Sequence, residues 1–246
     1  MHTIDLNCDM GEGLLNDALL MPFISSANIA CGYHAGDESI MKKTIELALQ
    51  HTVSIGAHPG FADKENFGRT EMQLSVDELY ELVAVQIQLL QKIAIGMGTK
   101  LHHVKPHGAL YNMAAKNAVM ANTIAKAVYD IDHHLIFFGL SGSHLITEAE
   151  KLGLKTASEV FADRTYRDDG SLTPRTQPNA MIETVDQSIQ QVLQMIENKM
   201  VISINNKSVP IKAETICLHG DGEQAVDFAK QIYLTLQQNH IGIQSI

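Results

Sequence analysis

The sequence is short of cysteine, of positive charge and of long apolar runs. Its three cysteines, Cys8, Cys31 and Cys217, are far apart and form no C-x-x-C pair, which argues against a disulfide framework and against a zinc knuckle. Each ends an apolar run beside polar residues, so a site role stays open, with small buried core residues the favoured reading. Eighteen lysines and arginines stand against 28 acidic residues, a formal net charge of −10, the wrong sign for a partner of nucleic acid or of an anionic membrane. No stretch approaches the roughly 18 apolar residues of a membrane span, and Asp5 and Asp9 interrupt the N-terminus where a signal peptide needs a basic and then an apolar run. A cytoplasmic location is expected. Neither H-E-x-x-H nor G-x-S-x-G occurs, and G-x-x-x-x-G-K-[ST] is absent too; Gly96 to Lys100 looks superficially like the last but precedes a strand instead of following one.

What the chain does have is rhythm. Short β-rich runs alternate with stretches of helical period: Ile4 to Cys8, Ala27 to Cys31, Val53 to Ala57, Leu101 to Val104, Leu135 to Phe138, Lys155 to Ser158 and Thr215 to Leu218. Between them lie a helix from about Glu38 to Gln50 with Asp37 placed to cap it, a long helix opened by Ser75 with Glu78 at capping-box spacing, and a helix around Ala114 to Tyr129. Seven such units in 246 residues without a linker or repeat predict an α/β fold: a single-domain, seven-stranded, TIM-like β/α barrel. Two stretches break the rhythm. Residues 161–179 carry three arginines and two prolines with neither period, a composition that suits an active-site loop or lid. Residues 201–212, turning at Asn205-Asn206, read as an inserted hairpin.

In parallel β/α architectures the residues that do chemistry come from the ends of several strands. Asp9 and Glu12 follow the first run, His34 and Asp37 the second, His58 the third, and Lys105 and His107 the fourth. Ser141 and Ser143 follow the fifth, in a turn able to hold an anion although an ordinary tight turn is the better reading; Glu159, Asp163 and Arg164 follow the sixth, His219 and Asp221 the last. One histidine at a strand end is most often structural. Four of them, at 34, 58, 107 and 219, are too many for that, whereas His2, His51, His133, His134 and His240 lie at termini or helix ends and read as solvated. Carboxylates and imidazoles converging on one rim suit a hydrolytic metal centre or metal-free acid–base work equally well.

The rim segments also spell a family. Asp5-Leu6-Asn7-Cys8-Asp9-Met10-Gly11-Glu12, Ala30-Cys31-Gly32-Tyr33-His34-Ala35-Gly36-Asp37, Gly56-Ala57-His58-Pro59-Gly60, Val104-Lys105-Pro106-His107-Gly108-Ala109-Leu110-Tyr111 and Glu159-Val160-Phe161-Ala162-Asp163-Arg164 together resemble the LamB/YcsF family, from about Ile4 to Gly222. The resemblance implies a seven-stranded barrel related to the glycoside hydrolase and polysaccharide deacetylase group. It implies, too, the role of the A-subunit in a bacterial 5-oxoprolinase, which cleaves 5-oxo-L-proline to L-glutamate with ATP hydrolysis, together with two further subunits, B and C. Mg²⁺ is expected with the ATP, and a homo-oligomer is compatible with it.

On that basis Asp9 with His34 or His107 is expected to manage proton transfers, Lys105 to stabilise negative charge, and Arg164 or Arg175 to grip the substrate carboxylate. Glu12, Asp37, Glu159, Asp163, His219 and Asp221 complete the expected binding set. Two other readings stand beside it: a metal-dependent deacetylase or amidohydrolase using Asp9 with two of His34, His58 and His107, and a non-catalytic subunit that only binds 5-oxoproline.

Overall fold

Every second residue of the first strand is polar, and the barrel is built around that alternation. In β1 (Thr3–Met10), Ile4, Leu6, Cys8 and Met10 belong to the large apolar core, while Asp5, Asn7 and Asp9 are equally buried but bond to polar groups on other strands. Both faces of a barrel strand are buried, one under the helices and one in the interior, so polar residues on the inner face must find partners on other strands. The computed structural model describes residues 3–219 and 225–246.

Around β1 the parallel strands β2 (Ser26–Ala30), β3 (Ser54–His58), β4 (His103–Val104), β5 (Ile136–Leu140) and β6 (Thr156–Phe161) follow in chain order. The seventh barrel strand, β9 (Thr215–Leu218), pairs with β6 on one side and with β1 on the other, closing the cylinder. The register is continuous across the closure: Asn7 lies opposite Cys217 on one neighbour and opposite Ser26 on the other. The seven expected strands are therefore the seven barrel strands. A further short strand, β10 (Gly242–Ile243), was not legible; it extends the sheet by pairing with Thr3 and Ile4 at the bottom of β1.

Helices cover the outside: α1 (Asp17–Leu20), α2 (Glu38–Gln50), α3 (Val76–Gly96), α4 (Gly108–Lys116), α5 (Ala118–Ile131), α6 (His144–Lys151), α7 (Val185–Glu197) and α8 (Ala225–Gln238). The expected start signals hold. Asp37 caps α2 by accepting from the Ile40 amide, and Ser75 and Glu78 form a reciprocal capping box on α3. The single helix expected at Ala114 to Tyr129 is in fact two, because Asn117 is extended (φ −128°, ψ 107°) and its side chain accepts from the amides of Val119 and Met120 to start α5. An asparagine that can cap ends one helix and opens the next. β7 (Met200–Ile202) and β8 (Ser208–Pro210) pair antiparallel ahead of β9.

The bottom of the barrel is plugged by Ile136, Phe138 and Ala157 with the C-terminal Ile246 against them. Above the plug the interior is polar. Asp5, which accepts hydrogen bonds from Ser25, Ser26 and Thr215, is pushed up to about 6 by burial. One layer higher, His103 stacks on Phe138 with ring centroids 4.2 Å apart and shares a 2.8 Å hydrogen bond with Asn28.

Candidate active site

Hydrogen bonds climb from this polar core to the barrel mouth. Asn28 donates to Asn7 Oδ1 at 2.7 Å and to Asp9 Oδ1 at 2.8 Å, and Asn7 donates to Glu159 Oε1 at 3.0 Å and to Thr215. At the centre sits Lys105, just past the end of β4. Its Nζ lies 2.9 Å from Asp9 Oδ1, 2.9 Å from Glu159 Oε1, 3.2 Å from Asn7 Oδ1 and 3.1 Å from Cys217 Sγ. Tyr111, from α4, donates to the other oxygen of Glu159 at 2.7 Å. Burial alone would drive the lysine toward neutrality, but the carboxylates of Asp9 and Glu159 hold it well above its ordinary value. Burial would likewise raise Asp9; instead His58 and Lys105 hold it well below the carboxylate range. The Cys217 thiol is pushed up by burial and is no nucleophile here.

A second cluster flanks Asp9. His58, at the end of β3, has Nε2 3.3 Å from Asp9 Oδ2, and His107 Nδ1 is 2.9 Å from that same His58 nitrogen. His34 stacks face to face on His107, centroids 3.9 Å apart, and both rings approach Glu12 Oε1 at 3.3 Å. Burial and the neighbouring imidazole of His58 push His34 down to about 3, and His107 is lowered well below its ordinary value by the same causes. The packing admits no side chain at two nearby glycines: a Cβ on Gly60 would lie 2.7 Å from His34 Nδ1, and one on Gly68 would lie 2.8 Å from His34 Cβ.

On the opposite wall His219 closes the set. Its Nδ1 is bound by both oxygens of Asp163, at 2.9 and 2.8 Å, and its ring lies 5.7 Å from that of Phe161. The Asp163 carboxyl is lowered, with His219 overcoming the cost of burial. Fixing Nδ1 this way leaves Nε2 to exchange a proton.

These groups open onto a cavity of about 700 Å³, lined by Asp9, Glu12, His58, Lys105, His107 and His219. Its outer wall carries Arg69, Lys116, Arg164 and Arg175 and is completed by Leu172 to Thr176. Several expected site residues have other duties. Asp37 is exposed and serves as the cap of α2, so it does not reach the cavity. Glu159 is wholly buried beneath Lys105, and Asp163 stands behind His219; both orient groups that line the cavity and do not line it themselves. His34 sits behind His107 in the same manner. Arg164 is 4% exposed, with Nη2 2.6 Å from the Thr173 carbonyl and Nε 3.3 Å from that of Ala180, so it staples the loop in place. Arg175, by contrast, is exposed at the cavity wall. Asp221 lies outside the described residues.

The loop at 161–179 is anchored at its base. Tyr166 is fully buried, accepts from the Phe161 amide at 2.7 Å, and bridges to Leu172 and Ser203. Residues that sequence reasoning passed over include Asn7, Asn28, His103 and Tyr111. The signal for Asn7 was present: polar residues at 5, 7 and 9 alternate with apolar ones, which places them on one strand face.

A parallel barrel whose strand ends gather a buried lysine, carboxylates and a carboxylate-bound histidine around one cavity is a β/α-barrel protein equipped for acid–base chemistry. The chain belongs to the LamB/YcsF family, whose sequence model matches residues 4–246. It is 53% identical to a Geobacillus kaustophilus protein named as the A-subunit of 5-oxoprolinase, over 100% of this chain and 97% of that protein. Its fold matches the crystal structure of a lactam utilization protein from Thermus thermophilus with a TM-score of 0.93 at 36% identity, covering 99% of this chain and 100% of the other. A family 4 carbohydrate esterase from Streptomyces lividans shares the fold alone, at 12% identity and a TM-score of 0.55, with 100% and 93% of the two chains covered. No helix among the described residues is long and apolar enough to cross a membrane.

Proposed function

We propose that this chain is the A-subunit of an ATP-dependent 5-oxoprolinase, opening the lactam of 5-oxo-L-proline to L-glutamate while ATP is hydrolysed, in a complex with subunits B and C. The observation that carries the reading is the conjunction of near-complete coverage at 53% identity with a relative of that name and a buried ammonium, Lys105, held against Asp9 at the wall of a cavity.

The chemistry explains the need for ATP. An unstrained lactam is a poor electrophile; transferring the γ-phosphoryl group to its carbonyl oxygen releases ADP and makes that oxygen a leaving group. Water then adds to the ring carbon, the C–N bond breaks as the ring nitrogen takes a proton, and a second water releases phosphate. Lys105 stabilises the negative charge that builds on the carbonyl or phosphoryl oxygen, where a fixed cation shielded from water acts most strongly. His219, aligned by Asp163, takes the proton of the attacking water and returns one to the departing nitrogen. Arg175 and Arg69 give the outer wall positive charge suited to the substrate carboxylate and to the phosphates of ATP, and Mg²⁺ enters with the nucleotide.

The test is release of glutamate and phosphate from 5-oxoproline plus MgATP by the chain alone, by the chain with its two partners, and by the partners without it. Activity confined to the full mixture is the expected result. Glutamate release by the chain alone without nucleotide would overturn the coupling and favour a nucleotide-free amidohydrolase. Binding of 5-oxoproline with full turnover by the partners alone would reduce the chain to a binding subunit.

A further inference from the structure

We infer that Glu12, His58 and His107 form a binding site for one first-row divalent transition-metal ion of the zinc class, with the His34 ring packed behind His107. Backbone carbonyls fix where the ring protons must be. His58 Nδ1 lies 2.7 Å from the carbonyl of Lys105, and His107 Nε2 lies 2.8 Å from that of Phe67. A carbonyl only accepts, so both of these nitrogens carry hydrogen. In the neutral rings the other two nitrogens, His58 Nε2 and His107 Nδ1, are therefore bare lone pairs, and they face each other at 2.9 Å.

More acceptors crowd the same point. Glu12 Oε1 is 3.3 Å from His107 Nδ1 and 3.9 Å from His58 Nε2, and Asp9 Oδ2 is 3.3 Å from His58 Nε2. Electron pairs so arranged repel unless a cation lies among them. The separations also have the right scale: donors placed tetrahedrally at zinc–nitrogen and zinc–oxygen bond lengths stand roughly 3.4 Å from one another. Donation of the distal ring N–H to a backbone carbonyl, as both His58 and His107 do, is the arrangement that orients metal-ligating histidines. Two imidazoles and one carboxylate, with a fourth position open to the cavity, suit zinc, cobalt, nickel or iron better than magnesium or calcium, which prefer all-oxygen sets.

Two other groups of metal-capable side chains among the described residues lack these features. Asp9, Cys217 and His219 surround a space whose cation is already Lys105, 2.9 Å from Asp9 and 3.1 Å from Cys217. Asp132, His133 and His134 lie at the surface, and Asp132 is engaged by the His134 amide. Glu12, His58 and His107 also line the cavity, which gives an ion a way in and places it across Asp9 from Lys105, where it can polarise a carbonyl or a water.

The test uses the full-length chain after treatment with a chelator and reads metal binding, so it stands apart from the nucleotide-coupled activity. Titration with Co²⁺ is expected to develop the intense visible absorption of a low-symmetry, tetrahedral nitrogen–oxygen site and to saturate at one equivalent, with Zn²⁺ displacing it. His58→Gln and His107→Gln are expected to weaken binding at least ~100-fold, since loss of a group that merely orients a ligand already costs up to that much, while His133→Ala leaves it unchanged. Should the histidine variants unfold, Glu12→Gln, which keeps the shape and removes the charge, is expected to weaken binding about 10-fold. Absence of stoichiometric Co²⁺ and Zn²⁺ binding by the native chain would overturn the inference and leave a shared proton as the cation of the cluster. Undiminished affinity in folded His58→Gln and His107→Gln chains would overturn it as well.

Discussion

Lys105 and Asp9 face each other at 2.9 Å across the inside of the barrel, and neither side chain is more than one-tenth exposed. One end of the pair is anchored in the polar interior through Asn7 and Asn28, and the other looks into the cavity. The same ammonium also neutralises Glu159. Its loss would strand two buried carboxylates.

Lys105→Met is therefore expected to abolish turnover of 5-oxoproline and to cost about 3–5 kcal/mol of stability, since removing one partner of a buried pair leaves charge without compensation. Combining it with Asp9→Asn and Glu159→Gln is expected to restore most of the urea midpoint and none of the turnover. A single variant as stable as the native chain would show that the carboxylates are not relying on the lysine.

Gly56 has an ordinary backbone conformation, and its constraint is one of space. A Cβ there would lie 2.1 Å from His103 Nε2, in a ring wedged between Phe138 and Asn28. Gly56→Ala is expected to destabilise by about 3 kcal/mol, at the upper end of overpacking costs. Gly96→Ala, at the end of α3 with nothing within 4 Å of the added carbon, is expected to be neutral or to stabilise by about 0.5 kcal/mol. Paired denaturation curves check both.

Stability is expected to fall on acidification below about pH 6.5. Burial holds His103 well below 6.5 and His34 at about 3, so the native chain excludes protons that the unfolded chain takes up as the pH drops through 6.5. Asp5 opposes them: raised to about 6 from 3.8, it keeps its proton in the folded state and adds stability as the pH falls through that window. Asp5→Asn should thus steepen the acid loss between pH 6 and pH 4, by up to roughly 1.4 kcal/mol per pH unit for the one proton involved. An unchanged slope in urea midpoint against pH would refute the assignment.

Asp163 touches His219 and not the cavity, so Asp163→Asn is expected to lower kcat of the reconstituted complex about 100-fold with little change in KM or folding. Asp37 offers the contrast. As the cap of α2 outside the cavity, its replacement by alanine is expected to cost about 1 kcal/mol and to leave kcat within about twofold.

Loop arginines should separate in the same way. Arg164→Ala is expected to destabilise the chain by freeing the carbonyls of Thr173 and Ala180, whereas Arg175→Ala should raise KM several-fold at native stability. Thermal melts alongside KM measurements distinguish a staple from an anion-binding group.

The barrel was legible in the order of residues alone, because β-rich runs and helical periods are local, and their alternation forces a parallel sheet covered by helices. So was the placement of Asp9, Glu12, His34, His58, Lys105, His107 and His219 at strand ends, since each closely follows an apolar run. Which of them meet was settled by folding. The expected pairing of Asp9 with His34 or His107 became Asp9 with Lys105 and His58, and Arg164 became a loop staple while Glu159 moved beneath the lysine. The reason is the closure of β9 onto β1, which brings residues more than 100 positions apart, such as Asn7 and Thr215 or Lys105 and Cys217, into hydrogen-bonding distance. Spacing along the chain carries the period of a strand, but the distance across a closed barrel depends on the register of every strand between.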